Sequence, residues 1–342
     1  MIITYFRSSS YNQYSMCPQA YYLSYVLGHQ SPSGMAAEKG TIVHKVMECL
    51  AHAKLAHQKG EGTINDDALG FMDVSDFEYV YSNDFVDELV NLSYEHYTSK
   101  SDHHYTARHY KECSKWSYEA ITHCNAAFDP RNRDIVAPEG AFDFVIDEPW
   151  AEYDYVLPDG KKLTGQLSMK GTIDLITQVR PGVYEVIDWK TGRRLDWATG
   201  QQKDFKKLTT DPQLRIYHYA LTKMYPEIDQ FLMTIYFIKD GGPYTLAFTK
   251  DDISDTMGML KKRFEEIKRI NRPRLVKSWK CTKFCHFGKN SHPSGEIDPR
   301  TGEPYTICEY VARKIRKRGI EASMIEDKKE GHEFDYYHAP GS

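Results

Sequence analysis

Apolar residues recur every three to four positions through the first part of this chain. They then alternate with polar ones, and later return to the helical spacing. Residues 10–28 (SYNQYSMCPQAYYLSYVLG) mix Tyr, Leu and Val at helical spacing and stop at Gly28. Residues 40–59 carry Val43, Val46, Met47, Leu50 and Leu55 in the same rhythm and end near Gly60, a common kind of helix stop. The polar, Tyr-rich stretch 61–130 predicts helices around 76–100 and 105–127. The first third of the chain is therefore expected to be largely helical.

The rhythm changes near Pro138. Segments 141–147, 151–157, 162–178 and 183–189 are richer in alternation and β-branched residues, with turns at Pro158-Asp159-Gly160 and Pro181-Gly182. A helix is expected at 211–224, where Leu214, Tyr217, His218 and Leu221 share a face. A buried strand follows at 231–238, then a turn at 240–243 and a short strand at 244–249. Met257, Leu260, Phe264 and Ile267 predict an amphipathic helix over 252–270. The last seventy residues read as irregular, basic and cysteine-bearing, ending in a frayed tail. Helix, sheet, then helix and strand again predict a mixed α/β core. The expected divisions are a helical part (1–130) with Cys17 and His44, a core (131–250), and a basic helix and cysteine lobe (251–342) docked on the N-terminal helices.

Composition narrows this picture without changing it. The 342 residues carry a net charge of -4 and a mean hydropathy of -0.61, as expected for a water-soluble globular protein. Any grip on nucleic acid must then come from local basic patches. The start, MIITYFRSSS, lacks the pattern of a secretory signal. The longest near-continuous apolar run, Phe231–Ile238, is far short of the roughly 20 residues that span a bilayer, so no membrane partner is expected. Seven cysteines without a regular framework favour a reducing, intracellular setting. No phosphate-binding G-x-x-x-x-G-K-[ST] loop is present, so any helicase would be a separate partner.

Candidate chemistry concentrates in two adjacent segments. Gly171-Thr-Ile-Asp174 ends one predicted strand and Ile187-Asp188-Trp189-Lys190-Thr-Gly192 ends the next, with the Pro181-Gly182 turn between. A hairpin would bring Asp174 and Asp188 together, and period-2 geometry puts Asp188 and Lys190 on one face. Two carboxylates and a backbone carbonyl suit Mg²⁺ or Mn²⁺, which prefer oxygen ligands. Such an ion polarises a phosphodiester, and a nearby lysine can orient water or offset growing charge. The same residues also fit a surface hairpin with an Asp–Lys salt bridge.

Taken in order, six segments resemble the PD-(D/E)XK nuclease superfamily, in the branch of RecB-type and CRISPR-associated exonucleases. Residues 8–23, with Cys17-Pro18, resemble its opening helix. Gly40-Thr-Ile-Val-His44 resembles its G-x-x-x-H motif, and Glu139-Gly-Ala-Phe142 its E-x-x-F strand. Gly171-x-x-Asp174, Asp188-x-Lys190 and Gln213-Leu-Arg-Ile-Tyr217 resemble the remaining three. The resemblance implies an α/β, restriction-endonuclease-like mixed sheet core flanked by helices, with a helical N-terminal part and a Cys-bearing C-terminal lobe. It implies catalysis by Asp174, Asp188 and Lys190. One or two Mg²⁺ or Mn²⁺ ions would be held by His44, Asp174, Asp188, the backbone carbonyl of Trp189, and Glu139. Asp143, Asp147, Glu148 and Glu152 are alternatives to Glu139, and Glu48 stands one helical turn beyond His44. Gln213 and Tyr217 would support the site and contact DNA, with Arg193, Arg194 and Lys277 as further DNA-binding residues. The expected activity is a DNA exonuclease that prefers single strands or ends, in repair, recombination or DNA processing. A structure-specific endonuclease and a non-catalytic DNA-binding assembly module are the rival readings.

The same branch often holds a 4Fe–4S cluster with one cysteine near the N-terminus and three near the C-terminus, which implies Cys17, Cys281, Cys285 and Cys308 here. The chain departs from the pattern in its C-x3-C pair and in the long gap before Cys308. His286 and His292 lie in that gap, so Zn²⁺ with mixed ligands is an alternative. Cys49, Cys113 and Cys124 fall in predicted helices and are expected to be inert. Residues 261–283 contain ten Lys or Arg, with Trp279 among them and Phe284 just beyond, and a second basic cluster spans 313–318. The first cluster is expected to bind phosphate, and the aromatics to offer stacking surfaces. The second fits either phosphate binding or a solvated face.

Overall fold

The computed structural model describes residues 1–195, 201–240 and 242–332. Its main sheet is mixed, with the order Tyr5–Phe6, Ser168–Arg180, Val183–Lys190, Gln230–Phe237, Gly242–Thr249. Asp134–Val145 also pairs with Ser168–Arg180. Tyr5–Phe6 runs parallel to its neighbour. The Ser168–Arg180 and Val183–Lys190 strands form an antiparallel hairpin, as do the last two strands. Val183–Lys190 and Gln230–Phe237 are parallel. A parallel pair needs a crossover, and the Pro212–Met224 helix lies within it.

The chain divides into two compact units. One comprises 33–141 and 172–253, the other 1–32, 142–171 and 254–342. In the first, the Met35–Lys59 helix buries Ile42, Val43, Val46, Met47 and Leu50. It ends where expected, with Gly60 at φ +72 closing the last turn in the left-handed region. This helix packs against helices Asn83–Thr98 and Ala107–Ala126. Trp189, Leu175, Ile187 and Tyr236 from the sheet share their core. The Val183–Lys190 strand is buried along nearly its whole length, as befits a strand with neighbours on both edges and cover on both faces. Its two acids are therefore unusual. Glu185 is matched by Arg133 and by the Thr234 hydroxyl, which donates to it at 2.5 Å; Asp188 belongs to the site below.

His218 on the crossover helix is fully buried between Phe231 and Phe248, with ring centroids 5.8 and 5.1 Å away. Burial pushes its pKa down to about 4. The unfolded chain therefore binds a proton near pH 6.5 that the fold resists. Stability is expected to fall between pH 6.5 and 4 by on the order of 3 kcal/mol. Denaturant titrations of the parent and of His218→Leu across that range check this, with the variant showing the shallower slope.

The other unit holds the hairpin Glu152–Val156 and Lys162–Gln166, the amphipathic helix Ile253–Arg269 from Ser254 onward, and the cysteine-bearing segments. Several expected elements are subdivided. Residues 10–28 form two helices, Ser8–Met16 and Pro18–Tyr21, followed by a π-type turn over Tyr22–Val26. The break falls at Cys17, extended at φ -162 and ψ 107 before Pro18, whose ring disfavours helical backbone in the preceding residue. The expected 162–178 strand divides at Leu167. The 76–100 helix is two, Phe77–Tyr81 and Asn83–Thr98, each started by its own side-chain cap, Asp76 and Ser82.

The region expected to be irregular contains helix Ile307–Arg318, which buries Cys308, Val311, Ala312 and Ile315. The expected frayed tail lies largely outside the described residues. No helix among the described residues is long and apolar enough to cross a membrane.

Candidate active site

One hairpin brings Asp174 and Asp188 together. Leu175 pairs with Ile187 in the antiparallel ladder, so the next step along it sets Asp174 across from Asp188. Asp188 is only 1% exposed. Lys190 Nζ lies 2.6 Å from Asp188 Oδ2. Gln213 Nε2 donates to Asp188 Oδ1 at 2.8 Å and stands 2.8 Å from the Tyr217 hydroxyl. The Trp189 backbone N–H donates to Asp174 Oδ2 at 3.0 Å, and His44 Nδ1 lies 3.3 Å from that same oxygen. His44, Asp174, Asp188, Lys190, Gln213 and Tyr217 thus form one connected set, reached from two strands and two helices.

Local sequence explains each placement. Gln213 and Tyr217 are four apart on one helical face, and Asp211 caps that helix by accepting from the Gln213 N–H at 3.0 Å. Gly40 lets the His44 helix approach the end of the Lys190 strand: a Cβ there would lie 2.8 Å from Thr191 Oγ1. Gly171 serves a similar purpose, since a Cβ would meet the Phe142 ring at 2.6 Å. The glycines of both motifs therefore mark close approaches.

The electrostatics are those of crowded, buried charge. Burial raises the Asp188 pKa to about 6, with Lys190 opposing the rise and Asp174 adding to it. Burial also works against ionised Asp174, but His44, Lys190 and the Trp189 N–H outweigh it and hold the carboxyl below its ordinary value. Burial would lower the His44 and Lys190 values, yet the facing carboxylates hold both above normal. Glu139 joins this field. Its pKa is pushed up to about 7, first by burial and then by Asp174 and Glu48, with His44 and Lys45 opposing.

Glu139 also has φ +45, left-handed backbone that is rare outside glycine and that tends to gather at functional sites. Asp143, an alternative from the sequence, instead faces Lys170 at 3.5 Å.

Sequence reasoning missed a neighbouring network. Lys45 bridges Glu48 at 2.5 Å and Asp66 at 3.0 Å. Asp66 lies on the Thr63–Asp66 strand of a small hairpin with Gly70–Asp73, in a stretch whose polarity gave no strand signal. Of the basic residues expected to touch DNA, Arg193 is exposed. Arg194 lies over the Tyr244 ring at 4.5 Å and donates to the Lys203 carbonyl at 2.5 Å. Lys277 pairs with Glu309 at 2.9 Å.

All seven cysteines are free thiols. Cys17 sits between two helices, Cys281 within helix Trp279–Lys283, Cys285 just before His286–Lys289, and Cys308 in the first turn of Ile307–Arg318. Burial raises the Cys308 thiol pKa, and the fields of Cys17, Cys285 and Cys281 raise it further. Among the described residues, no group of three or more His, Cys, Asp or Glu is drawn into metal-binding geometry. Cys49 and Cys113 are buried on helices, whereas Cys124 is exposed at φ +53, beyond the loss of helical geometry at His123.

The sequence model of the PD-(D/E)XK nuclease superfamily matches residues 8–289. No curated protein sequence matches the chain. Among similar solved structures is a protein provisionally named as an exonuclease, from Eubacterium rectale. It is 12% identical, with a TM-score of 0.43, over 82% of this chain and 87% of that one.

Proposed function

The chain belongs to the PD-(D/E)XK nuclease superfamily, and from that premise we propose a divalent-metal-dependent deoxyribonuclease that acts as an exonuclease on single strands or DNA ends. The observation that carries this reading is the buried Asp188 carboxylate, held between Lys190 and Gln213 beside the Asp174–His44 pair. Glu139, Asp174 and Asp188 crowd three carboxyl groups into one electrostatic field, and two of them are raised by burial. A divalent cation relieves that crowding.

Superfamily members generally use Mg²⁺ or Mn²⁺. One or two such ions would be held by Asp174, Asp188, Glu139, His44 and the Trp189 carbonyl. When bound, they supply Lewis-acid polarisation of the phosphodiester and a more acidic water. Lys190, kept protonated by Asp188 and Asp174, offsets negative charge as it grows on the phosphorane. Gln213 fixes the Asp188 carboxylate in one orientation, and the Trp189 N–H does the same for Asp174. Exposed Arg193 would meet the DNA strand, whereas Tyr217 is buried against Gln213 and would support the site without the DNA contact expected from the sequence. The hydrogen bonds of Arg194 suit it to framing the loop beside them, and Lys277 would serve phosphate from the cysteine-bearing unit.

Cys17, Cys281, Cys285 and Cys308 would hold a 4Fe–4S cluster. The four residues belong to one compact unit, and the fields of Cys17 and Cys281 add to the burial that raises the Cys285 and Cys308 thiols. Four sulfurs suit such a cluster. The histidines of the mixed-ligand zinc alternative have other contacts: His286 meets Asn290 at 2.9 Å, and His292 stacks on Tyr310 at 3.6 Å.

Linear and circular single-stranded DNA, each with Mg²⁺ or Mn²⁺, test the activity. Loss of the linear strand with the circle intact is expected. Cutting of the circle would replace the exonuclease assignment with an endonuclease on the same fold. Digestion by the protein alone would fit a nuclease that needs no helicase to act on these substrates.

A further inference from the structure

We propose that the cysteine-bearing unit carries a second nucleic-acid site, a basic groove that seats the phosphates of a single strand. None of its residues belongs to the carboxylate centre. The groove encloses about 850 Å³. One wall is the extended segment with Arg272, Arg274 and Lys277; the other is a face of helix Ile307–Arg318 with Arg313, Arg316 and Lys317. The two basic clusters, some forty residues apart in sequence, thus face one cleft.

Charge and geometry select the ligand. The two acids lining the groove are already matched, Glu309 by Lys277 at 2.9 Å and Asp298 by Arg300 at 2.6 Å. Arg272, Arg274 and Lys317 form no side-chain ion pair among the described residues. Arg313 and Lys317 stand four residues apart on one helical face, roughly 6 Å along the axis. Cations that recur along a wall suit an extended polyanion better than a lone phosphate.

Gln19 also lines this groove. It is fully buried, and neither its carboxamide nitrogen nor its oxygen has a partner. Buried polar groups are ordinarily satisfied, and leaving a donor and an acceptor unmade is costly. The amide is therefore available to a base edge or a phosphate oxygen. The choice of nucleic acid over another polyanion rests on the nuclease reading.

Fluorescence anisotropy of the full chain with a labelled single-stranded DNA, in Ca²⁺ across a salt series, tests the groove. Arg272→Ala/Lys317→Ala should weaken binding about tenfold and flatten the plot of log K against log salt by about 1.4, some 0.7 per phosphate contact. Lys161→Ala/Lys162→Ala removes the same charge from the exposed hairpin of this unit and should leave the slope within error.

Gln19→Leu should weaken binding severalfold while leaving the unfolding midpoint unchanged or higher, an outcome that a purely structural glutamine would not give. Equal slopes for the groove and hairpin variants would overturn the proposal, as would poly-glutamate competing as well as DNA at matched charge. Tight, groove-dependent binding by a chain that cleaves nothing would keep the groove and remove the nuclease reading.

Discussion

Asp188→Asn is expected to lower metal-dependent cleavage by at least about a thousandfold without unfolding the chain. The amide keeps the shape and still accepts from Gln213 Nε2, so the 2.8 Å contact survives. What disappears is the charge that would hold a cation. The sign of the stability change separates this effect from collapse. A carboxyl whose folded pKa is raised to about 6 from 3.8 penalises the fold increasingly as pH rises above 3.8, and fully above about 6, since the unfolded chain ionises more easily.

The metal-free variant should therefore melt no lower than the parent at pH 8. It should also lose the rise in Tm that Mg²⁺ gives the parent. Lys190→Ala should lose cleavage too, but with a lower Tm, because it leaves buried Asp188 without its counter-charge. Parental cleavage by both variants would sink the site.

A second large effect is expected at Cys17. The Cys17→Ser protein, purified without oxygen, should be colourless and poor in iron and sulfide, and the parent should be brown. Cys17 and Cys281 stand 264 positions apart, so a shared cluster closes a very long loop. Opening it should cost on the order of 5–6 kcal/mol in the constrained-chain view. Cys124→Ser, at an exposed thiol, should change neither colour nor stability. Zinc in a colourless parent would overturn the iron assignment, and a metal-free parent would remove the cysteine centre altogether.

The carboxylate hairpin was readable in advance because a two-residue period leaves little freedom. Once Asp174 and Asp188 flank a Pro-Gly turn, pairing the strands brings them together, and Lys190 shares a face with Asp188. His44, Gln213 and Tyr217 were legible as spacings on helices. Glu139 was not separable from four nearby acids, because its left-handed backbone breaks the alternation on which such a reading depends.

The C-terminal segment was harder still. Helix Ile307–Arg318 presents only Val311, Ala312, Ile315 and Cys308 to the interior among many charges, so its periodicity is faint. Both basic clusters were visible as runs, but convergence on one groove is a tertiary fact that no local pattern encodes. Lys45 and Asp66 were missed for the same reason: their partnership depends on a hairpin folding back onto a helix.

The way the two units share the chain has a consequence for synthesis. Residues 33–141 and 172–253, which hold the carboxylate centre, are all synthesised before the final segment of the other unit begins at 254. The first 32 residues must wait for that segment, with Cys17 among them. During translation, thiol and ligands remain apart while the nuclease half is already complete in sequence. Cluster insertion would then be a late event, following the emergence of Cys308, and the cell's supply of iron would act on finished chains instead of nascent ones.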